Sequence, residues 1–160
     1  MDFIRAHGNL ARPGMRPGVV GLVAGSLAGI PAALLANAAG LTAWLERALG
    51  LAAPGLAIGA ILASTALMGA LYGAIFRRAA NDPRGGWLFG LAFGFVMWLI
   101  GPAAWLAWLT RSLPPPGAPA LALIGSHLLY GLALGGLFPV LHRQLRRPLL
   151  HLPANRTPSR

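Results

Sequence analysis

Cysteine is absent from all 160 residues, which excludes disulfides, thiolate metal centres and thiol redox chemistry. Lysine is absent too, and the thirteen basic side chains are all arginine. Acidic residues are confined to Asp2, Glu46 and Asp82, so chemistry based on paired carboxylates has little to work with. Charged residues make up 10% of the chain and hydrophobic ones 56%, whereas an ordinary soluble domain is about 25% charged. So few charges cannot cover that much apolar surface in water. The natural solvent is lipid. Phosphate-binding, dinucleotide-binding and zinc-binding signatures are missing as well, and "GSH" at 125–127 lacks the second glycine of a nucleophile elbow. Neither a cofactor nor a metal site is expected.

What the chain does have is four long apolar runs: Val19–Ala38, Leu56–Phe76, Trp87–Leu109 and Pro119–Leu141. Each reaches the roughly 20 residues that a helix needs to cross a hydrocarbon core, and none contains Asp, Glu, Lys or Arg. The expected fold is all-α, a polytopic membrane protein with four transmembrane helices in a compact bundle. Residues 1–145 form its single domain, and 146–160 form a disordered basic cytoplasmic tail. Abundant arginine without lysine suggests a GC-rich bacterial genome, hence a bacterial inner (plasma) membrane.

Arginine placement predicts the orientation. Arg5, Arg12 and Arg16 precede the first run; Arg77, Arg78 and Arg84 lie between the second and third; Arg143, Arg146, Arg147, Arg156 and Arg160 follow the fourth. The other two loops hold only Arg47 and Arg111. By the positive-inside bias, both termini and the central loop are cytoplasmic. The basic start and the "ANA" at 36–38 resemble a secretory signal, but the apolar stretch exceeds the usual 7–15 residues, so the first span is expected to be retained. The basic net charge of +10 therefore reads as topology, and no nucleic-acid partner is expected.

The loops carry some local structure. In "LTAWLERALG", Leu41, Trp44, Leu45, Ala48 and Leu49 share one helical face, which predicts a short helix in the headgroup layer with Trp44 as anchor. "RSLPPPGAP" is a stiff connector. In "RRAANDPRGG", Asp82-Pro83 and Gly85-Gly86 turn the chain, and Arg77, Arg78 and Arg84 are candidates for anionic lipid headgroups.

Glycine and tryptophan are not scattered. "GWLFGLAFGFVMWLIGP" places Gly86, Gly90 and Gly94 at every fourth position, and Trp98 and Pro102 continue the series. Gly21, Gly25 and Gly29 repeat the spacing in the first run, Gly69 and Gly73 in the second, Gly131 and Gly135 in the fourth. In water each would weaken a helix by about 1 kcal/mol relative to alanine. In lipid, small residues let backbones approach closely, so these stripes are expected at helix–helix contacts. Trp98, at mid-span, is expected to fill space on the stripe. Pro102 is expected to kink the third span and to open a small cavity. "GLVAG" at 21–25 matches "GLAFG" at 90–94, and "LYG" at 71–73 matches "LYG" at 129–131. This suggests two repeated helical hairpins, although such short apolar matches also arise by chance.

One titratable side chain stands inside a span. His127 shares its stripe with Gly131 and Gly135, so it is expected to face protein. Ser126, Tyr130 and Trp98 complete the candidate intramembrane polar site, with Ser64, Thr65, Tyr72 and Asn37 as further hydrogen-bond partners. Haem ligation would normally need a second axial ligand; His142 on the same helix lies about 22 Å away, so a bis-histidine site would require a homo-oligomer.

"LYGAIFRR", "GWLFGLAFGFVMWLIGP" and "GSHLLYGLALGGLFP" together resemble small four-span bacterial inner-membrane proteins of unknown function. The resemblance covers about residues 70–140. It implies four helices and an inner-membrane address and carries no catalytic residue.

Three functions are expected as candidates. The first is a non-catalytic membrane protein that associates through its glycine faces, with itself or as an accessory subunit. The second is a small channel or transporter with a path near His127 and Trp98. The third is a cofactor-binding redox subunit that uses His127.

Overall fold

The computed structural model describes residues 17–76, 85–111 and 115–145. Among them the chain is helical, without a strand. α1 (Pro17–Ala38) is followed by a short α2 (Leu41–Leu49) and by α3 (Leu56–Ile75). The third span begins as α4 (Gly86–Trp98), widens into a π-helix over Leu99–Leu106 and closes with the single turn α5 (Ala107–Thr110). α6 (Ala118–Leu145) completes the bundle. Four stretches are long and apolar enough to cross a membrane: Pro17–Ala38, Leu56–Ile75, Gly86–Thr110 and Ala118–Gln144. The architecture is that of a multi-pass, all-α membrane protein. Large side chains such as Leu34, Leu67 and Leu121 point outward and are 65%, 63% and 74% exposed, the arrangement expected where the solvent is lipid.

All four spans are apolar on every side, so polarity cannot distinguish the inward face. Size does. α1 runs between α3 and α6, and α4 lies on the far side of α6. The bundle is therefore a curved row in the order α3, α1, α6, α4. α1 turns Gly21, Gly25 and Gly29 toward α3 and a second small-residue stripe, Ala24, Ala28 and Ala32, into the core with Tyr130, Leu134 and Phe138 of α6. A Cβ built on Gly25 would stand 2.7 Å from the Cα of Gly69, so the two backbones are in direct contact there.

The same packing joins α4 to α6. Gly90 faces the carbonyl of Gly131 and the Cα of Gly135, and Gly94 faces the carbonyl of His127. Gly86 meets Gly135 through its own carbonyl. Gly73 meets Pro17, Gly21 and the ring of Phe138. Nine of the ten striped glycines are thus turned to neighbours within one chain, and Gly86 is buried with its carbonyl against Gly135. The two contacts correspond in detail, since Gly21 meets Gly69 and Gly73 as Gly90 meets Gly131 and Gly135. That correspondence is one helical turn out of step with the "LYG" match, which would set Gly73 and not Gly69 opposite Gly131.

Glycine also ends the short α2. Gly40 (φ 76°) breaks it from α1, and Gly50 (φ 64°) closes it. At that end the N–H of Leu51 reaches the carbonyl of Glu46 at 2.9 Å and that of Gly50 reaches Arg47, a Schellman motif. Glu46 then accepts a hydrogen bond from the N–H of Gly55 at 2.7 Å, tying α2 to the start of α3. α2 touches the ends of α1, α3, α5 and α6, and Leu41, Trp44 and Leu45 pack with Ala36, Ile61 and Leu123.

The proposed headgroup arginines Arg77, Arg78 and Arg84 lie outside the described residues, as do the tail 146–160 and residues 112–114 of the triple-proline loop.

Candidate functional site

The row of helices does not close on itself. α3 and α4 stand at its two ends, and the described residues join them chiefly at the end remote from α2. There Tyr72 meets Phe93 edge-on at 5.2 Å, Phe76 meets Phe93 at 6.0 Å, and Tyr72 meets Phe138 at 5.6 Å. Nearer α2 the two spans part, and a cavity of about 560 Å³ fills the gap. Such a volume lies within the range of small-molecule sites, about 300–1,000 Å³. Leu41 and Leu45 of α2 line its roof, Met68 and Met97 approach its floor, and all four spans supply its walls.

The third span opens this space. Pro102 has no N–H to give, and its ring would collide with the carbonyl of Trp98 in a regular α-helix. The chain responds with eight residues of π-helix, a wider turn often found at functional positions. The expected irregularity at Pro102 is therefore present as a π-helix, and Gly101 and Pro102 line the cavity. A Cβ added to Gly101 would meet no atom within 4 Å, so this glycine borders open space.

Trp98 behaves differently from expectation. It is half-buried, stacks at a tilt on Phe95 with ring centres 5.7 Å apart, and is absent from the cavity wall. Met97, Ile100 and Trp105 take the places expected for it. The change of helical pitch begins only at Leu99, so it carries Pro102, and not Trp98, away from the spacing of the stripe.

The polar side chains do converge. Ser126, His127 and Tyr130 of α6 and Ser64 and Thr65 of α3 all line the cavity. Ser64 Oγ donates to the carbonyl of Ile61 at 2.8 Å, Thr65 Oγ1 to that of Leu62 at 2.9 Å, and Ser126 Oγ to that of Leu123 at 3.3 Å. His127 Nδ1 lies 2.7 Å from the same Leu123 carbonyl. A carbonyl only accepts, so Nδ1 carries the proton, and in the neutral ring Nε2 keeps its lone pair. The buried Tyr130 crosses the bundle and donates to the carbonyl of Thr65 at 2.8 Å. That bond links α6 to α3 where their helices hardly touch.

Two expected partners are elsewhere. Asn37 accepts a hydrogen bond from Thr42 Oγ1 at 2.8 Å at the α1–α2 turn. Tyr72 belongs to the aromatic cluster, with its hydroxyl buried and without a hydrogen-bond partner among the described residues. Among those residues no group of three or more His, Asp or Glu side chains is placed to hold a metal ion.

No family model, curated sequence or solved structure matches the chain.

Nothing in the sequence singles out Met68, Met97 or Ile100 as wall residues. Only Gly101-Pro102 carries a local signal, a helix-weakening pair at the end of the regular stripe. Thr65 and His127 also prove to be counterparts, because the carbonyl of Thr65 packs on Gly25 as that of His127 packs on Gly94. This equivalence appears only once the helices are paired.

Proposed function

We propose that this chain is a small, non-catalytic membrane carrier whose working site is the cavity beside His127. One observation carries the reading: the polar side chains of α3 and α6 gather in a single cavity of about 560 Å³, walled by four apolar spans. Association through the glycine stripes, as an accessory subunit or a homo-oligomer, is less well supported. Those faces already hold α1 to α3 and α4 to α6 within one chain, and a partner would have to displace them. The path passes Met97 and Gly101, on the side of the third span away from Trp98. A bis-histidine redox centre cannot form within this cavity, since its wall contains no other histidine.

The setting is a bacterial inner membrane, with the arginine-rich segments in the cytoplasm. In that orientation α2 roofs the cavity on the outer side, and the Tyr72–Phe93–Phe138 cluster closes it toward the cytoplasm.

The absence of native cysteine makes a direct test available. Ser126→Cys, an almost isosteric change, is expected to react with a membrane-permeant maleimide in the intact membrane. It is expected to react more slowly with an impermeant maleimide added outside, and not with the same reagent confined to the cytoplasmic face. Failure to react with any maleimide would remove the cavity and this function with it.

A further inference from the structure

The donor and acceptor pattern of the cavity restricts its ligand further, an inference that rests on the carrier reading. Each hydroxyl proton and the Nδ1 proton are already directed at backbone carbonyls: Ser64 to Ile61, Thr65 to Leu62, Ser126 and His127 to Leu123, Tyr130 to Thr65. A hydroxyl can turn its proton to another acceptor, but the imidazole cannot redirect its Nδ1 proton without giving up the Leu123 carbonyl. Nε2 of His127 therefore stays an acceptor. A ligand that meets it must bring its own proton. One that offers only carbonyl or ether oxygens would leave Nε2 unpaired in an apolar site, which is costly.

Charge is excluded on similar grounds. No Asp, Glu, Lys or Arg lines the cavity, and an unpaired ion in such surroundings is strongly disfavoured. The route in is also visible. α2 covers the ends of the spans and the aromatic cluster blocks the far end, but α3 and the π-helix stand apart. Along that gap Ser64 is exposed, and Ile100 and Trp105 are 56% and 58% exposed. The gap faces the side of the bundle, where a membrane protein meets lipid.

We propose that the cavity binds an uncharged amphiphile taken directly from the bilayer through the gap between α3 and the π-helix, with a hydroxyl or amide N–H group donating to Nε2 of His127. The apolar part of the ligand lies against Met68, Met97 and Ile100. Gly101 borders the cavity without a side chain, and a Cβ there would meet no atom within 4 Å.

The test uses the full-length chain in phosphatidylcholine vesicles with a photoreactive long-chain alcohol, the diazirine placed in its alkyl chain. Illumination is expected to give an adduct that mass spectrometry maps to the peptides carrying Met68 and Met97–Ile100. Unlabelled alcohol is expected to compete about tenfold better than its methyl ether, the size of effect set by one hydrogen bond to a buried acceptor. His127→Leu is expected to abolish that preference, and Gly101→Leu to remove labelling altogether.

Equal competition by alcohol and ether would overturn the proposal, and this comparison requires only the wild-type chain. Labelling that survives Gly101→Leu would overturn it by placing the probe outside the cavity. A cross-link between two copies in place of a lipid adduct would also overturn it, because a second chain would then fill the gap. If the alcohol fails while Ser126→Cys still reacts with maleimide, the ligand class is wrong and the carrier reading stands. If Ser126→Cys does not react at all, both fall.

Discussion

Adding one methyl group at Gly90 should destabilise this protein, and adding the same group at Gly136 should not. A Cβ on Gly90 would come within 2.6 Å of both Cα and N of Gly135, whereas comfortable carbon–carbon contact is about 3.5–4.0 Å. The obstacle is backbone, so no rotamer change relieves it, and α4 and α6 would have to separate by about 1 Å. A gap of that size forfeits roughly a quarter to a half of the dispersion energy at each atom pair along the seam. Overpacking of this kind costs about 1–3 kcal/mol. The gain in helix propensity from glycine to alanine opposes it by no more than about 1 kcal/mol.

Gly136 is exposed and has nothing within 4 Å of its added Cβ. There only the propensity gain remains, and Gly136→Ala is expected to be neutral or slightly stabilising. The two uncharged substitutions on α4 and α6 thus differ in sign. Thermal unfolding in mild detergent, followed by circular dichroism, should show a lower midpoint for Gly90→Ala and an unchanged or higher one for Gly136→Ala. Equal midpoints would refute the claim that backbone contact between α4 and α6 is why glycine stands at position 90.

The two tyrosines should also respond in opposite directions to loss of a hydroxyl. Tyr72→Phe removes a buried hydroxyl that has no partner among the described residues and should hold or raise the detergent midpoint. Tyr130→Phe breaks the 2.8 Å bond to the Thr65 carbonyl and should cost about 1 kcal/mol; a larger loss for Tyr72→Phe would contradict this assignment. Glu46→Ala should loosen α2 by removing the acceptor for the Gly55 N–H, seen as faster labelling of Ser126→Cys by impermeant maleimide added on the α2 side. Glu46→Gln, which retains a carbonyl oxygen, should label at close to the original rate.

The carrier reading and the packing of the bundle are connected through one asymmetry. α1 and α6 meet along their length, but their counterparts under the glycine correspondence, α4 and α3, do not. An ideal pair of repeated hairpins would close both seams. Here Tyr72, Phe76 and Phe93 join the second seam at one end, and Gly101-Pro102 with its π-helix leaves it open at the other. Ser64, Thr65 and His127 border that open half, so the departure from regular helix and the gathering of polar side chains occur at the same place.

Some of this was decided locally and was therefore legible before folding. Four uncharged runs of sufficient length leave the backbone no option in lipid except to bond within each segment, so four helices and their approximate limits follow from composition. Glycine at every fourth position likewise announces a close contact, since a 3.6-residue repeat stacks those positions on one face. The sequence also isolated His127, because it is the sole imidazole inside the four apolar runs.

Which stripe meets which, however, depends on helices that are distant in the chain, and every stripe looks alike from within its own segment. Only the tertiary structure pairs Gly25 with Gly69 and Gly90 with Gly135. Only it sets Trp98 against Phe95 and away from the cavity wall. The donor directions are the last example. A serine or histidine in a sequence has protons to offer, and here backbone carbonyls one turn back in the same helix take them.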